Sequence, residues 1–331
     1  MTRPLCLLTH PDGVRERYFG ARALAALRDV AEVRLNARER PMTAPELIEA
    51  ARDADVIVSD RATPGEAGLF AALPGLRAFV RVAVDIRTVD VEAASRYGVL
   101  VTRTSAGFVP AVCEWIVGAM VDLARGISRA VVEYRAGRAP TIAMGRQLAG
   151  SALGIIGYGR IGRRLAEIAL ALGMRVVVCD PHVRIETPGV AQCDLAALLA
   201  DADFVVCLAL ATAETENLMN AAAFAAMRQG AFFVNASRGN LVDEEALAAA
   251  LDRGHLAGAA MDVGRAPDQM PSLALARRAD VIATPHIGGL TPQAVEHQDV
   301  EAAAQAVAIL AGRIPDGAVN AAAARRIANL T

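Results

Sequence analysis

Residues 153–162 read Leu153-Gly154-Ile155-Ile156-Gly157-Tyr158-Gly159-Arg160-Ile161-Gly162. An apolar run ends in a Gly157-x-Gly159-x-x-Gly162 loop, and an amphipathic stretch, Arg163–Leu172, opens behind it. Strand, glycine loop and helix in that order form the first βα turn of a dinucleotide-binding sheet. Gly157 permits the tight turn, Gly159 lets a pyrophosphate approach the backbone, and Gly162 lets the helix pack on the strand. The helix start offers N–H groups and a partial positive charge to the phosphates. The next strand ends at Asp180, eighteen residues after Gly162, close to the ~20 typical of an acid that binds the ribose hydroxyls. Tyr158 lies within the loop and is expected at the cofactor with its neighbours. A carboxylate at 180 repels a 2′-phosphate, so the expected cofactor is NAD, with NADP favoured only by the nearby Arg184.

Outward from this loop, short β-like runs alternate with Ala-rich helical stretches. Before it, Pro4–Thr9, Glu32–Asn36, Val56–Ser59, Ala78–Val84 and Val99–Thr102 read as strands, with helices at Ala21–Arg28, Pro45–Asp53 and Val91–Tyr97. Pro110–Ala136 reads as one long helical stretch, with Val112, Trp115, Ile116, Ala119, Met120 and Leu123 at helical spacing. After Gly150 six strands follow, Ala152–Ile156, Arg175–Cys179, Phe204–Leu208, Phe232–Asn235, Gly258–Asp262 and Val281–Thr284, and then a helix, Ala294–Ala311. The fold class is therefore α/β: a doubly wound parallel sheet binding the cofactor, beside a smaller flavodoxin-like domain.

Composition narrows the chemistry. The 331 residues suggest two domains. All 34 basic residues are arginines, which excludes Schiff-base lysines, the Walker A lysine and lysine general bases. The net charge of −2 gives no basic field to attract nucleic acid or an anionic membrane. The five cysteines are scattered, without disulfide or metal-ligand spacing, so no metal is expected. Met1–His10 lacks the apolar core of a secretory signal, and no run approaches the ~18 apolar residues of a membrane span. A reducing cytoplasm is the expected location.

Further along the chain stand Asn235-Ala236-Ser237-Arg238-Gly239, then Asp262-Val263, then Pro285-His286-Ile287-Gly288-Gly289. With the glycine loop, this set resembles the D-isomer-specific 2-hydroxyacid dehydrogenases, the group of phosphoglycerate, glycerate, D-lactate and formate dehydrogenases, from about Leu76 to Asn320. The residue types suit such a reaction. Arg238 has a planar fork of donors to orient a carboxylate and polarise a carbonyl, and His286 suits proton exchange near neutral pH. The resemblance implies that backbone at Arg160 and Ile161 meets the pyrophosphate and that Ala236 and Asp262 hold the nicotinamide carboxamide. It also implies that Ala209–Thr215 passes the cofactor, with His286 and Gly288 beside it, and that Ala83–Val84 binds the substrate carboxylate. The implied domains are 1–101 with 290–331 for substrate and an inserted 102–289 for NAD, with a cleft at their junction. The helix near Pro110 would form a homodimer interface.

Three departures stand out. The family usually has a glutamate, paired with the histidine, five residues after the Asp of Asp-Val; here that position is Pro267. Asp268 is the expected catalytic partner of His286, with Gln269 or a solvated loop as alternatives. Where the family commonly has a Gly-Val-Gly type turn, this chain has Arg81-Val82-Ala83-Val84-Asp85-Ile86-Arg87, so Asp85, Arg87 and Arg103 either face substrate or are ordinary loop-end charges. Trp115, where relatives have a histidine, is expected to pack the helix. The expected activity is NAD-dependent interconversion of a small 2-hydroxy acid and its 2-keto acid. Its alternatives are an NAD(H)-binding regulatory protein of the same family and a formate- or phosphite-type dehydrogenase.

Overall fold

The computed structural model describes residues 3–327; the extreme ends of the expected 1–101 and 290–331 segments lie outside them. Two compact units emerge, Met1–Phe108 with Thr291–Thr331, and Val109–Leu290. The first crossover thus falls seven residues beyond the expected 101. A break at 101 would cut through a strand, because β5 runs to Arg103.

In the first unit the chain runs β1 (Leu5–Leu8), α1 (Asp12–Tyr18), α2 (Ala21–Val30), β2 (Glu32–Leu35), α3 (Ala44–Ala50), β3 (Val56–Ser59), α4 (Ala67–Ala72), β4 (Ala78–Arg81), α5 (Val91–Arg96) and β5 (Leu100–Arg103). Among the described residues the strands form one parallel sheet, ordered β2-β1-β3-β4-β5, the flavodoxin-like order. Alternate residues go to opposite faces. Cys6, Leu8, Val56, Val58 and Val80 pack with Phe19, Leu27 and Ala302, while Leu5, Leu7, Ile57, Phe79 and Val101 pack with Leu47, Phe70 and Ala93. The short α1 and α4 are not visible in the sequence pattern. α1 buries no residue, so it has no apolar stripe to read.

The second unit comprises α6 (Val109–Arg125), α7 (Ile127–Arg135), β6 (Ala152–Ile156), α8 (Arg160–Ala171), β7 (Arg175–Cys179), β8 (Val190–Gln192), α9 (Leu195–Asp201), β9 (Phe204–Cys207), α10 (Ala221–Ala226), β10 (Ala231–Asn235), α11 (Glu244–Asp252), β11 (Leu256–Met261), α12 (Leu273–Ala276) and β12 (Val281–Ala283). Its parallel sheet is ordered β12-β11-β10-β9-β6-β7-β8. This is the doubly wound dinucleotide-binding arrangement, with its switch point between β6 and β9. It has seven strands where the sequence suggests six. The extra strand, β8, is three residues at the sheet edge without a buried position, too short and too polar to announce itself.

The expected single helix 110–136 is two. Gly126 adopts φ 66 and ends α6, and the Asp122 carboxylate accepts the Ser128 N–H at 2.7 Å to start α7. A final helix, α13 (Pro292–Leu310), returns to the first unit and packs on α2.

Candidate active site

The glycine loop leaves β6 and enters α8. Gly157 has φ 99, and a Cβ there would come within 2.7 Å of the Leu208 carbonyl oxygen. A Cβ at Gly162 would come within 2.3 Å of the Gly157 carbonyl oxygen. Both positions are glycine because the protein's own backbone demands it. Gly159 differs: its φ is −73, and no atom lies within 4 Å of a Cβ built on it. Nothing in the fold requires glycine at 159, so the free space there fits an outside occupant. The first intrahelical bond of α8 is Arg163 N–H to Gly159 C=O. The N–H groups of Arg160, Ile161 and Gly162 therefore precede the helical ladder and suit an anion. These features together fit a dinucleotide pyrophosphate.

Asp180 follows β7. Its Oδ2 accepts the Tyr158 N–H at 2.7 Å and its Oδ1 accepts the His182 N–H at 2.9 Å. Each oxygen retains a lone pair for a ribose hydroxyl. Tyr158 itself is buried, with its hydroxyl donating to Thr187 Oγ1 and Arg163 over its ring. Its ring thus braces the loop. Arg184 points to solvent and pairs with Glu186 at 3.4 Å. After β9, Ala209 accepts a hydrogen bond from Ser237 Oγ, and Thr215 Oγ1 donates to Leu210 C=O, which folds the 209–215 segment on itself.

Arg238 lies in the turn after β10. The buried Asn235 side chain builds that turn: its Oδ1 accepts the Ser237 N–H, and its Nδ2 donates to the Arg238 carbonyl. The half-buried Arg238 donates from Nη1 to the Ser237 carbonyl. Gly239 presses so closely on Gly264 that a Cβ would overlap the Gly264 carbonyl, at 1.9 Å. The Arg238 turn is thereby packed onto the 264–270 loop. Arg265 fastens the same two segments, from Nε to Val242 C=O and from Nη2 to Asn240 C=O and Glu216.

That loop also reaches His286. Asp268 and Gln269 are both left-handed, at φ 56 and 59, which turns the Asp268 carbonyl onto the imidazole: His286 Nδ1 lies 3.1 Å from Asp268 O. The sequence points instead to the Asp268 carboxylate. Among the described residues no carboxylate pairs with His286; its partner is backbone. A carbonyl oxygen only accepts, so Nδ1 carries the hydrogen in this contact, and Nε2 is left to exchange a proton. His286 is itself left-handed at φ 56, a conformation that persists in a bulky residue only where the surroundings impose it.

Asp262, directly after β11, supplies much of that imposition. It is 4% exposed. Its Oδ1 accepts from Thr284 Oγ1 at 2.6 Å and from Ile287 N–H at 2.8 Å, and its Oδ2 accepts from Gly288 N–H at 2.8 Å. Its carbonyl accepts the His286 N–H. The indole of Trp115 lies 3.5 Å from a Cβ built on Gly288, in keeping with a packing role. Thr284, Asn235 and Gly264 escape sequence reasoning because each shapes a loop rather than carrying chemistry: Thr284 bonds the Asp262 carboxylate, Asn235 bonds backbone, and Gly264 allows close packing. Ala236 sits half-buried between Asn235 and Ser237.

In the first unit, Ala83 is buried and its carbonyl accepts the Thr104 N–H, and Val84 follows half-buried. Asp85 and Arg87, candidates to face substrate, are paired with each other, Nη2 to Oδ2 at 2.7 Å. Arg103 has an exposed side chain, and its carbonyl accepts from Gln305 Nε2. Arg81, which sequence reasoning misses, is 1% exposed. Its guanidinium donates to the carbonyls of Asp60, Thr63, Arg61 and Asp85 and to Thr88 Oγ1. Burial works against its charge, and the nearby Asp60 and Asp85 support it.

Comparison with known proteins follows the same lines. Residues 117–288 match the family model of the D-isomer specific 2-hydroxyacid dehydrogenase, NAD binding domain. The chain is 33% identical over 261 residues to a hydroxypyruvate reductase of Thermotoga maritima, covering 77% of this chain and 85% of that protein. It is 34% identical over 302 residues to a D-3-phosphoglycerate dehydrogenase of Mycobacterium tuberculosis, covering 90% of this chain and 56% of that one. The chain thus spans about half the length of the phosphoglycerate dehydrogenases it matches. Among solved structures, the TT0316 protein of Thermus thermophilus superposes with a TM-score of 0.85 at 31% identity, over 95% of this chain and 99% of that one.

Proposed function

The chain belongs to the D-isomer specific 2-hydroxyacid dehydrogenases, and on that premise we propose that it interconverts a small 2-hydroxy acid and its 2-keto acid with NAD(H). The observation that carries this reading is the 264–270 loop. It is packed against the Arg238 turn at Gly239 and bonded to the His286 ring at Asp268, so one loop braces both reactive side chains.

NAD(H), when bound, supplies or accepts the hydride. The chain's own residues do the rest. Asp180 and the α8 N-terminus bind the ribose and pyrophosphate, and the acid at 180 favours NAD over NADP. Arg238 holds the substrate carboxylate and draws electron density from the carbonyl oxygen. In reduction, His286 gives its Nε2 proton to that oxygen; in oxidation, Nε2 takes the hydroxyl proton back. Nδ1–H on the Asp268 carbonyl fixes which nitrogen is used. We assign cofactor binding to the second unit and substrate recognition to the first, where Ala83, Val84 and Arg103 remain candidates and the Asp85–Arg87 pair a weaker one.

A homodimer fits the exposed apolar side chains of Ile127, Val132, Tyr134, Ile142 and Met144, which need a cover. Among the described residues no helix is long and apolar enough to cross a membrane. We assign the protein to the cytoplasm, without nucleic acid or membrane partners, in keeping with its net charge of −2.

The deciding experiment is a panel of 2-keto acids (glyoxylate, hydroxypyruvate, pyruvate, branched and aromatic acids) offered with NADH and with NADPH. Turnover of at least one with NADH supports the reading. Tight NADH binding without turnover of any would replace it with an NAD(H)-binding regulatory role.

A further inference from the structure

Among the described residues the histidine of this site has no carboxylate at its ring, yet it is held by one. The Asp262 side chain accepts three hydrogen bonds, and all three come from the segment on either side of His286: Thr284 Oγ1, Ile287 N–H and Gly288 N–H. The Asp262 carbonyl accepts a fourth, from the His286 N–H itself. A buried carboxylate that gathers N–H and O–H donors makes strong, short bonds. Its geometry also forces the chain between them into a tight arch, at whose apex His286 takes its left-handed conformation. Gly288 is glycine for the same reason: a Cβ there would sit 2.8 Å from Asp262 Oδ2.

We propose that Asp262 is the positioning residue of His286, acting through the 284–288 backbone to hold the imidazole against the Asp268 carbonyl. The charge that other arrangements place beside the ring is here placed beneath the loop that bears the ring. Three of the roughly four acceptor sites of the Asp262 carboxylate are committed to this arch, which leaves one for the nicotinamide carboxamide. The inference rests on the assignment of His286 as the proton-exchanging group, and it deepens that assignment.

The test uses the full-length protein with Asp262→Asn, Thr284→Val and Thr284→Ser. The amide that Asp262→Asn introduces would either face the Gly288 N–H with a donor or lose the bond to Ile287. Thr284→Val removes one donor without changing shape, and Thr284→Ser restores it. The first readout needs no turnover. The five histidines of the chain give separable imidazole signals in proton–nitrogen correlation spectra, and His286→Gln identifies the one of interest. In the unmodified protein that ring should be the Nδ1–H tautomer when neutral. Asp262→Asn should mix the tautomers and lower kcat about a hundredfold, a larger change than any in the NADH dissociation constant. Thr284→Val should do the same on a smaller scale, about tenfold in kcat, and Thr284→Ser should restore both.

An unchanged tautomer and kcat in Asp262→Asn and Thr284→Val would overturn the proposal. So would a tautomer that stays fixed while NADH binding weakens about tenfold or more, since that result makes Asp262 act on the cofactor alone. If the unmodified enzyme turned over none of the 2-keto acids, the functional reading would fail, while the spectra would still decide whether Asp262 orients the ring.

Discussion

In the second unit the loops at the strand ends are gathered by a buried carboxylate, Asp262, which accepts from backbone N–H groups and a hydroxyl. In the first unit they are gathered by a buried guanidinium, Arg81, which donates to four backbone carbonyls and a hydroxyl. Both charges stand at the C-terminal end of a parallel strand, where connections emerge with unpaired backbone groups. A single ion of either sign satisfies several of those groups and freezes the loops relative to the sheet. The units differ in how completely this succeeds. Among the described residues, the second unit leaves one buried side-chain atom without a partner, Gln269 Oε1. The first unit leaves several, including His10 Nδ1, Ser59 Oγ and Thr104 Oγ1. The lesson is that the edge carrying the proton-transfer group is nearly saturated, whereas the other edge retains unspent polarity.

Substitutions can break this symmetry, beginning with the largest effect. Arg81→Met should strand four carbonyls and destabilise the first unit by about 3–5 kcal/mol, seen as a lowered transition in calorimetry. A loss below about 1 kcal/mol would show that water replaces the guanidinium easily and that the parallel with Asp262 is superficial. Arg238→Ala, on the other edge, should spare stability but lower kcat/KM by a hundredfold or more, about 3 kcal/mol of transition-state binding. Near-normal turnover would remove Arg238 from the mechanism.

His10 tests the incompletely satisfied edge. Its pKa is pushed down to about 4, chiefly by burial, with Arg15 and Arg81 adding to the effect and Asp60 opposing it. An unfolded histidine takes its proton near pH 6.5. Below that pH the unfolded chain binds more protons than the folded one, so stability should fall as pH drops from about 6.5 to about 4 and be insensitive to this group above it. The loss should reach at most about 3 kcal/mol, and His10→Gln should flatten that part of the curve in denaturant titrations at several pH values. The smallest effect is expected from Gly159→Ala. Its Cβ enters open space, so stability should hold while NADH affinity falls roughly tenfold, about 1.4 kcal/mol. Unchanged NADH binding in a fluorescence titration would mean that the pyrophosphate does not sit over Gly159.

The architecture is legible where periodicity is strong. The glycine loop, its acid, the parallel strands and the two sheets follow from apolar runs and turn residues. The pattern fails where elements are short, as at β8, or lack an apolar face, as at α1, and where one glycine, Gly126, ends a helix whose amphipathic pattern carries on past it. In the site, Arg238 and His286 are legible because their side chains carry the chemistry. The role of Asp268 is not, because two successive left-handed residues replace a side-chain contact by a carbonyl, and nothing in the residue types at 268 and 269 announces that geometry. Arg81 is hidden for a related reason: a strand-end arginine reads as surface charge until its five acceptors are seen.

That carbonyl partner has a consequence for how the protein can change over generations. An acid that orients a histidine through its side chain is lost by a single missense mutation. A main-chain oxygen is encoded at every codon alike, so substitution at position 268 by a residue that tolerates its left-handed conformation alters the side chain and keeps the acceptor. What heredity must preserve is instead the curvature of the 264–270 loop, braced by Gly264 beneath it and Arg265 across it. The vulnerable information has moved from the identity of one residue to the shape of a segment, and damage should arrive through insertions, deletions and changes at Gly264 rather than through exchange of the residue that touches the ring.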